Sequence, residues 1–338
     1  MPIIDTFNRP LHDLRISLID RCNFRCPYCM PSEKFHHSYK FLDQKQWLNF
    51  DEITHLARVF VALGVRKLRL TGGEPLLRPD LAELIHQLSA IEGVDDLALT
   101  TNGSMLTYWA SRLKAAGLGR LTVSLDTLDE NVFRQMSGER GEVKDVLEGI
   151  HAAQEAGFRA IKINAVIQRG VNDHTILDLV KYFRGTSHTV RFIEYMDVGN
   201  QNHWATSQVV PSHEIISMVD AVFPLQRLSG TEEGGTSEIF RFKDGKGEVA
   251  FISSVTKAFC GTCRRLRLSA DGKMYTCLFA THGVDLGGPL RKGACDETLN
   301  ELIRDVWTKR YDRYSEIRSK IPQDIHALPK VEMYQIGG

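Results

Sequence analysis

The 338-residue chain has no excess of charge of one sign, because its 42 lysines and arginines equal its 42 aspartates and glutamates. It therefore has no overall field to attract nucleic acid or an anionic membrane, and an anionic ligand would need a local cationic pocket. No apolar run approaches the ~20 residues that span a bilayer. Residues 1–10 lack the basic and apolar segments of a secretory signal. These absences predict a cytoplasmic protein with no membrane and no nucleic-acid partner.

Cysteine is also scarce, and its placement does not suit a disulfide framework. Six of the seven cysteines stand in two groups of three, and the chain has no low-complexity segment or short-period repeat. A hydrophobic content of 43% supports a sizeable core, so the length fits one large domain or two modest ones. Reduced thiols in two close groups indicate metal or cluster binding instead.

The first group, Cys22, Cys26 and Cys29, has the spacing C-x3-C-x2-C and directly follows a predicted strand. A cubic iron–sulfur cluster needs four ligands, and thiolate is the usual one. Three cysteines on one loop can bind three irons and leave the fourth open for chemistry, much as an open position marks a catalytic zinc site. The alternatives are a zinc site completed by His36 or His37, and three unrelated thiols.

From residue 14 to about residue 196 the chain repeats one unit, in which a short apolar strand and a polar turn precede an amphipathic helix. The predicted strands are Leu14–Ile19, Lys67–Thr71, Leu97–Thr101, Arg120–Asp126, Ala160–Gln168 and Val190–Met196. Gly64, Gly117 and Gly157 are expected to end three of the helices. Six such units predict a parallel sheet and fit a partial (βα)6 barrel of the TIM type. A doubly wound open sheet is the competing arrangement, because the sequence does not reveal strand order.

The pattern changes near residue 197. Residues 1–198 are therefore predicted to form the partial barrel, and residues 199–338 a C-terminal α+β region. In that region we expect a helix at Ser212–Val222 and a hairpin of Glu238–Phe242 with Glu248–Ile252. A terminal helix is expected at Asp296–Tyr311. The predicted fold class is therefore α/β with an appended α+β region.

The second cysteine group, Cys260, Cys263 and Cys277, has the spacing C-x2-C-x13-C. A turn at Asp271-Gly272 would bring Cys277 beside the first two. Three thiolates would again leave one iron of a cluster open, here for a substrate atom. A zinc site and a redox dithiol are the alternatives, since C-x2-C is also a zinc half-site that Cys295 could complete. Cys295 itself is expected to be a bystander.

Chemistry in parallel α/β folds collects beyond the carboxyl ends of the strands, and these ends are polar here. The polar or ligand-facing positions are Arg69, Thr71, Thr100, Thr101, Asn102, Ser124, Asp126, Lys162, Asn164 and Met196. Gly72-Gly73 would let the backbone approach a ligand closely. Each of these residues alone could be a satisfied polar group at a strand end. Their recurrence on five of the six predicted strands favours a site.

Arg265 and Arg267 share one strand face near the second cysteine group. Together with Arg15, Arg69 and Lys162 they would meet phosphate groups through bidentate and point-charge contacts. The alternative is a solvated basic face.

The first cysteine motif, with Tyr28 as its aromatic residue, and Thr71-Gly-Gly-Glu-Pro75 resemble the radical S-adenosylmethionine (SAM) superfamily. Further segments are Arg191-Phe-Ile-Glu-Tyr-Met196, Phe259-Cys-Gly-Thr-Cys-Arg-Arg-Leu-Arg-Leu268 and the Gly337-Gly338 end. With them the chain resembles the GTP 3′,8-cyclase family of molybdenum-cofactor biosynthesis from about Leu14 to Gly338. Three residues depart from that pattern: Ile19 replaces a usual Thr, Asp197 a usual Pro and Arg264 a usual Asn.

The resemblance implies a role for each matching residue. Two [4Fe-4S] clusters would be held by Cys22, Cys26 and Cys29, whose open iron takes SAM, and by Cys260, Cys263 and Cys277, whose open iron meets guanine. SAM would contact Tyr28, Gly73, Ser124 and Met196. GTP would bind to Arg15, Arg69, Thr100, Lys162, Arg265 and Arg267. The catalytic set would comprise Arg265, Arg267, Gly337 and Gly338, with the glycine tail reaching into the active site.

The resemblance also implies a reaction, in which a 5′-deoxyadenosyl radical removes the ribose 3′-hydrogen of GTP. The product would be (8S)-3′,8-cyclo-7,8-dihydro-GTP, the first intermediate of molybdenum-cofactor synthesis. The implied partners are a reductase or flavodoxin-type electron donor, a second copy in a homodimer and the cyclic pyranopterin monophosphate synthase that receives the product. A radical SAM peptide maturase with an auxiliary cluster and a non-catalytic zinc- or cluster-binding module remain as alternatives.

Overall fold

The computed structural model describes residues 2–228, 234–318 and 329–337. Within these residues twelve β-strands form one mixed sheet. The strands are β1 (Asp13–Ser17), β2 (Lys67–Thr71), β3 (Asp96–Thr101), β4 (Arg120–Ser124), β5 (Lys162–Ile167), β6 (Thr189–Glu194), β7 (Leu225–Arg227), β8 (Glu238–Phe242), β9 (Glu248–Ile252), β10 (Arg265–Leu268), β11 (Lys273–Tyr275) and β12 (Val284–Asp285).

The helices of the described residues fall mostly between consecutive strands of the first half of the chain. They are α1 (Phe50–Ala62), α2 (Leu81–Ser89), α3 (Leu106–Ala115), α4 (Glu130–Ser137), α5 (Val143–Glu155), α6 (Ile176–Phe183), α7 (Ser212–Val222), α8 (Gly287–Arg291), α9 (Asp296–Thr308), α10 (Tyr314–Ile317) and α11 (Met333–Ile336). In the described part of the chain, no helix has the length and apolar character needed to cross a membrane.

The strands lie in the order β12-β11-β10-β1-β2-β3-β4-β5-β6-β9-β8-β7. Strands β1 to β6 are parallel and adjacent in chain order. This order lacks the central reversal of a doubly wound sheet, so that alternative is wrong. The predicted α/β class and the parallel pairing of the six strands are confirmed.

The C-terminal strands extend the same sheet at both ends. Strand β9 pairs in parallel with β6, and β10 pairs in parallel with β1. The predicted hairpin and the predicted turn at Asp271-Gly272 are confirmed, since β8 pairs antiparallel with β9 and β10 with β11. Gly245 and Gly272 take positive φ angles of 78° and 83° in the two turns.

Some predicted bounds are wrong by a few residues. Strand β4 ends at Ser124 rather than at Asp126, because the Asp126 carboxylate, not its backbone, accepts the amide N–H of Val166 at 2.8 Å. Helix α9 ends at Thr308 rather than at Tyr311, where the amide of Arg310 turns back to the carbonyl of Trp307 at 3.0 Å.

Helix α1 illustrates how local sequence builds the layer against the sheet. Its N-terminus is closed by a capping box in which Asn49 and Glu52 exchange hydrogen bonds of 2.8 Å. Its buried face consists of Ile53, Thr54, Leu56, Ala57, Val59, Phe60 and Val61. Burying each large apolar side chain of this kind contributes ~1.5–3 kcal/mol. Gly64 follows the helix with a φ of 112°, which agrees with its predicted role as a helix-ending glycine.

Candidate active site

A cavity of about 410 Å³ lies against strands β1 to β6 and against the segments that carry both cysteine groups. Every residue predicted to bind a cluster, SAM or GTP lines it. These residues are Arg15, Cys22, Cys26, Tyr28, Cys29, Arg69, Gly73, Thr100, Ser124, Lys162, Met196, Cys260, Cys263, Arg265, Arg267 and Cys277. Residues from the two halves of the sequence therefore line one cavity.

The first cysteine loop is held by its own backbone. The amides of Cys29 and Met30 donate to the carbonyl of Cys26 at 2.9 and 2.7 Å, and the amide of Phe24 donates to the sulfur of Cys22 at 3.3 Å. Burial, with a smaller effect from Glu74, raises the pKa of Cys22 to about 12. Burial and then the neighbouring Cys22 raise the pKa of Cys26 as well. Thiolates here need a strongly positive partner, which an iron–sulfur cluster provides.

The arrangement of the thiols bears on the choice between zinc and a cluster. Among the described residues, no three Cys, His, Asp or Glu side chains converge closely enough to hold a single metal ion. A cubic cluster does not need that convergence, since its thiolates bind different irons. His36 and His37 are exposed and do not line the cavity. The two histidines therefore do not complete the predicted zinc site at the first group.

The Gly72-Gly73-Glu74 segment packs directly on the backbone that leads into Cys22. A Cβ on Gly73 would lie 2.1 Å from the carbonyl oxygen of Arg21, so only glycine permits this approach. The amide of Glu74 donates to the same carbonyl at 2.8 Å. This contact ties the end of β2 to the first cysteine loop.

Glu74 also fixes the end of β3, a function that the sequence analysis did not assign to it. Its carboxylate accepts the hydroxyl of Thr101 at 2.7 Å and the amide of Asn102 at 2.8 Å. Burial raises the pKa of Glu74 to about 7. The Nδ2 atom of Asn102 lies 3.9 Å from the sulfur of Cys22, so this contact extends to the cysteine loop.

Tyr28 joins the same loop to strands β4 and β5. Its hydroxyl donates to Asp126 at 2.8 Å, and the second carboxylate oxygen of Asp126 accepts the amide of Val166 at 2.8 Å. Burial raises the pKa of Asp126 to about 6. The predicted SAM contact Tyr28 is thereby held in one orientation.

Arginines that line the cavity form its cationic part. In the paired strands Arg15 lies opposite both Arg69 and Arg267. Burial and the nearby arginines lower the pKa of Arg15, and the same causes lower the pKa of Arg191 to about 9. Arg69 donates to the hydroxyl of Thr100 at 3.1 Å. These side chains line a cavity, so the predicted alternative of a solvated basic face is wrong.

Arg191 belongs to the Arg191–Met196 motif, but it was not predicted to be a site residue. It lines the cavity, and its Nε donates to the side-chain oxygen of Asn164 at 2.8 Å. The alternation of residues along β6 could have indicated this position. Arg191 and Ile193 lie on one face of the strand, and the buried Phe192 lies on the other.

The second cysteine group lies beside the β10–β11 hairpin. The amide of Cys263 donates to the carbonyl of Cys260 at 3.1 Å, and that of Phe279 to the sulfur of Cys277 at 3.5 Å. Burial raises the pKa of Cys277 to about 12. At Cys263 burial acts in the same direction, but Arg265 and Arg310 outweigh it and lower the pKa to about 6.

Cys295 stands apart from both groups. It is exposed, lies 3.3 Å from the hydroxyl of Thr298, and does not line the cavity. It therefore does not complete the second group.

The C-terminal tail reaches the cavity wall. Arg267 Nη1 donates to the carbonyls of Ile336, at 3.2 Å, and of Gly337. A Cβ on Gly337 would lie 2.1 Å from Cγ2 of Thr71, at the end of β2. Gly338, the other predicted tail residue, lies outside the described residues.

Asp197, one of the three departures from the family pattern, anchors the tail. Its carboxylate contacts Nζ of Lys330 at 3.2 Å, Nε of Arg318 at 2.9 Å and the hydroxyl of Tyr314 at 2.5 Å. Nearby, the amide of Asn200 donates to the Glu332 carboxylate at 3.0 Å. Sequence reasoning assigned Asp197 no role, because its partners lie more than a hundred residues away.

The chain matches two family models and is similar in fold to a solved structure. The chain matches the model described as "Radical SAM superfamily" over residues 16–183 and that described as "Molybdenum Cofactor Synthesis C" over residues 188–316. Its fold is similar to that of Streptococcus suis SuiB bound to S-adenosylmethionine, with a TM-score of 0.62 at 15% identity, over 93% of this chain and 69% of that one.

Several relatives are similar over nearly their full length. A GTP 3′,8-cyclase of Xanthomonas axonopodis pv. citri (strain 306) is 51% identical over 337 residues, covering 100% of this chain and 99% of the relative. One of Acidothermus cellulolyticus is 50% identical over 94% of this chain and 89% of the relative. One of Staphylococcus epidermidis is 43% identical over 99% of each. The chain therefore belongs to the radical SAM superfamily and, within it, to the GTP 3′,8-cyclase family.

Proposed function

We propose that this protein is a radical SAM lyase that cyclises GTP to (8S)-3′,8-cyclo-7,8-dihydro-GTP, the first step of molybdenum-cofactor biosynthesis. The observation that carries this proposal is that both cysteine groups and a set of arginines line one cavity of about 410 Å³. Membership of the GTP 3′,8-cyclase family supplies the substrate and the reaction. The cavity's cationic wall suits the triphosphate of GTP.

Membership of the superfamily implies a [4Fe-4S] cluster and SAM, and Cys22, Cys26 and Cys29 would hold that cluster. When bound together, the cluster and SAM supply the 5′-deoxyadenosyl radical that removes the ribose 3′-hydrogen. We assign the SAM contacts to four residues of the cavity wall, which are Tyr28, Gly73, Ser124 and Met196. In this arrangement the protein supplies position, charge and exclusion of water.

A second [4Fe-4S] cluster would be held by Cys260, Cys263 and Cys277 and would meet the guanine base. The fit rests on three half-buried thiols that line the same cavity as the first group. At this group too, the described cysteines do not converge on a single-ion site. That geometry favours a cluster over the zinc alternative.

The positively charged side chains would hold GTP between the two groups. We assign GTP binding to Arg15, Arg69, Thr100, Lys162, Arg265 and Arg267, all of which line the cavity. Arg267 would have a second task, because it also donates to the carbonyls of the C-terminal tail. The tail glycines Gly337 and Gly338 would then complete the active site beside the substrate.

The remaining features are proposals that the strand order and the family membership support. Six parallel strands adjacent in chain order suit a partial (βα)6 barrel. We retain residues 1–198 and 199–338 as the two functional regions. We also retain a flavodoxin-type electron donor, a homodimer, transfer of the product to the cyclic pyranopterin monophosphate synthase, and a cytoplasmic location.

The test is an anaerobic assay of the iron-reconstituted protein with SAM and a reductant, with and without GTP. We expect 5′-deoxyadenosine and a cyclised GTP product, and loss of both in Cys22→Ala. Cys295→Ala is the matched control, because that thiol is exposed and outside the cavity. Abundant 5′-deoxyadenosine without a GTP product would favour the peptide-maturase alternative. Neither product from protein with both clusters intact would contradict the enzymatic assignment.

A further inference from the structure

Two buried arginines from distant parts of the chain share one carboxylate beside the second cysteine group. Nε of Arg9 lies 2.6 Å from Oδ2 of Asp5, and Nη1 of Arg310 lies 3.4 Å from the same oxygen. The side chains of the two arginines are each 2% exposed, and that of Asp5 is fully buried. We call these three residues the Asp5–Arg9–Arg310 brace.

The brace holds the backbone of the Cys260-x2-Cys263 turn from two sides. Nη1 of Arg9 donates to the carbonyl of Cys260 at 2.7 Å, and Nη1 of Arg310 donates to the carbonyl of Cys263 at 2.8 Å. The ring of Trp307 lies 4.6 Å from the guanidinium carbon of Arg310, and its Nε1 donates to the carbonyl of Arg9 at 3.2 Å. The N-terminal segment is thus built into the second cysteine site.

The two arginines differ in one contact. Nη2 of Arg310 lies 3.3 Å from the sulfur of Cys263, whereas the hydrogen bonds of Arg9 go to oxygen atoms. An N–H donor directed at a ligating sulfur, together with a buried positive charge, favours the more negative, reduced form of a cluster. Groups that hydrogen-bond to the ligands also help to hold the metal. Their removal typically lowers the affinity for the metal ~10–100-fold.

We propose that Arg310 is a positioning residue that raises the reduction potential of the second cluster and slows its loss of iron. It acts through its hydrogen bond to the sulfur of Cys263 and through its bond to that residue's carbonyl. Arg9 would slow the loss of iron in the same way but would raise the reduction potential less, because it contacts no sulfur. This inference rests on the second cluster proposed above.

The experiment uses the full-length chain with Cys22, Cys26 and Cys29 changed to Ala, so that any remaining cluster belongs to the second group. Arg310→Gln and Arg9→Gln are made in this parent protein, and folding is compared by circular dichroism. The midpoint potential is measured by redox titration followed by electron paramagnetic resonance. Iron release to a chelator is followed by absorbance.

We expect Arg310→Gln to shift the midpoint potential to a more negative value and to release iron roughly tenfold faster. Arg9→Gln should release iron faster and shift the midpoint potential less than Arg310→Gln, because Arg9 contacts no sulfur and its Nε pairs with Asp5 at 2.6 Å. Equal potentials in the parent and Arg310→Gln, or equal shifts in both variants, would overturn the role of Arg310. A parent protein that holds zinc, or no iron, would overturn the second cluster itself and the inference with it.

Arg310→Lys covers the case in which Arg310→Gln does not fold. A single ammonium cannot donate to the sulfur and the carbonyl of Cys263 in the geometry of the guanidinium fork. We therefore expect Arg310→Lys to shift the midpoint potential to a more negative value, but by less than a folded Arg310→Gln variant would. An unchanged potential in Arg310→Lys would contradict the proposal.

Discussion

The hydroxyl of Tyr28 donates a 2.8 Å hydrogen bond to the carboxylate of Asp126, which links the first cysteine loop to the residues that follow β4. Asp126 receives its second hydrogen bond from the amide of Val166 in β5. Three separate segments of the chain therefore fix one aromatic side chain at the predicted SAM site.

Tyr28→Phe and Asp126→Asn should each weaken SAM binding, and their effects should not add. Residues that share a buried hydrogen bond typically show coupling free energies of ~0.5–3 kcal/mol. Equilibrium dialysis of SAM against the iron-reconstituted single and double variants measures this coupling. Tyr108→Phe is the control, because Tyr108 is 59% exposed on α3. Additive losses for Tyr28 and Asp126 would contradict the linkage.

Glu74 should make the cluster-free protein less stable as the pH rises. Burial raises its pKa from 4.5 to about 7, so across that range the native state keeps a proton that the unfolded state has lost. The free energy of unfolding therefore falls as the pH rises from about 4.5 to about 7, by on the order of 3 kcal/mol from this residue.

Urea denaturation of the cluster-free protein at several pH values in that range measures how steeply the free energy of unfolding falls with pH. Glu74→Gln should reduce this dependence on pH, because an amide does not titrate; Asp126, whose pKa burial raises to about 6, should account for part of what remains. Glu148→Gln serves as the control, since the Glu148 side chain is 56% exposed. An unaltered slope in Glu74→Gln would show that Glu74 is not the titrating group.

Arg265→Ala and Arg267→Ala should impair GTP cyclisation while iron content and SAM binding remain. Hydrogen bonds to charged groups contribute ~1.5–3 kcal/mol, so KM for GTP should rise roughly 10- to 100-fold. Steady-state assays with iron determination and SAM dialysis separate these effects. Arg241→Ala is the control, because Arg241 is exposed and pairs with Glu248 at 2.7 Å. Normal GTP turnover in both cavity variants would rule out their assignment to GTP.

Asp197→Asn should loosen the C-terminal tail. The substitution removes the carboxylate that Arg318 and Lys330 share, in a site where the Asp197 side chain is only 10% exposed. A loss of ~1–3 kcal/mol would speed amide exchange in residues 329–337 roughly 5- to 150-fold. Hydrogen exchange followed by mass spectrometry measures the exchange rate of these amides. Asp305→Asn breaks an exposed pair with Lys309 and should leave the tail protected; equal exchange in both variants would count against the anchor.

Local sequence carried enough information to predict the cysteine groups, the parallel strands and the polar strand ends. Strand and helix periodicity depends on near neighbours, which is why Lys67–Thr71 and Ser212–Val222 were predicted at their observed bounds. Arg310 and Asp197 were missed because their partners are distant in the chain. Cys263 lies 47 positions from Arg310, and Lys330 lies 133 positions from Asp197.

The attachment of the C-terminal strands could not be predicted for a related reason. The pairing of β10 with β1 brings together residues about 250 positions apart, and nothing in the local pattern of either strand specifies that neighbour. The sequence therefore predicted two regions in series, whereas the strands of both belong to one sheet.

The register of β10 against β1 has a consequence for how the site is assembled. Arg267, Arg15 and Arg69 lie side by side on three neighbouring strands, at the ~4.8 Å spacing of a sheet. A one-residue slip of β10 would turn Arg265 and Arg267 to the opposite face and shift Cys263 along the strand direction. The position of Cys263, a predicted cluster ligand, and the spacing of the row of guanidinium groups are thus set by the same hydrogen-bond ladder, so neither can be adjusted without moving the other.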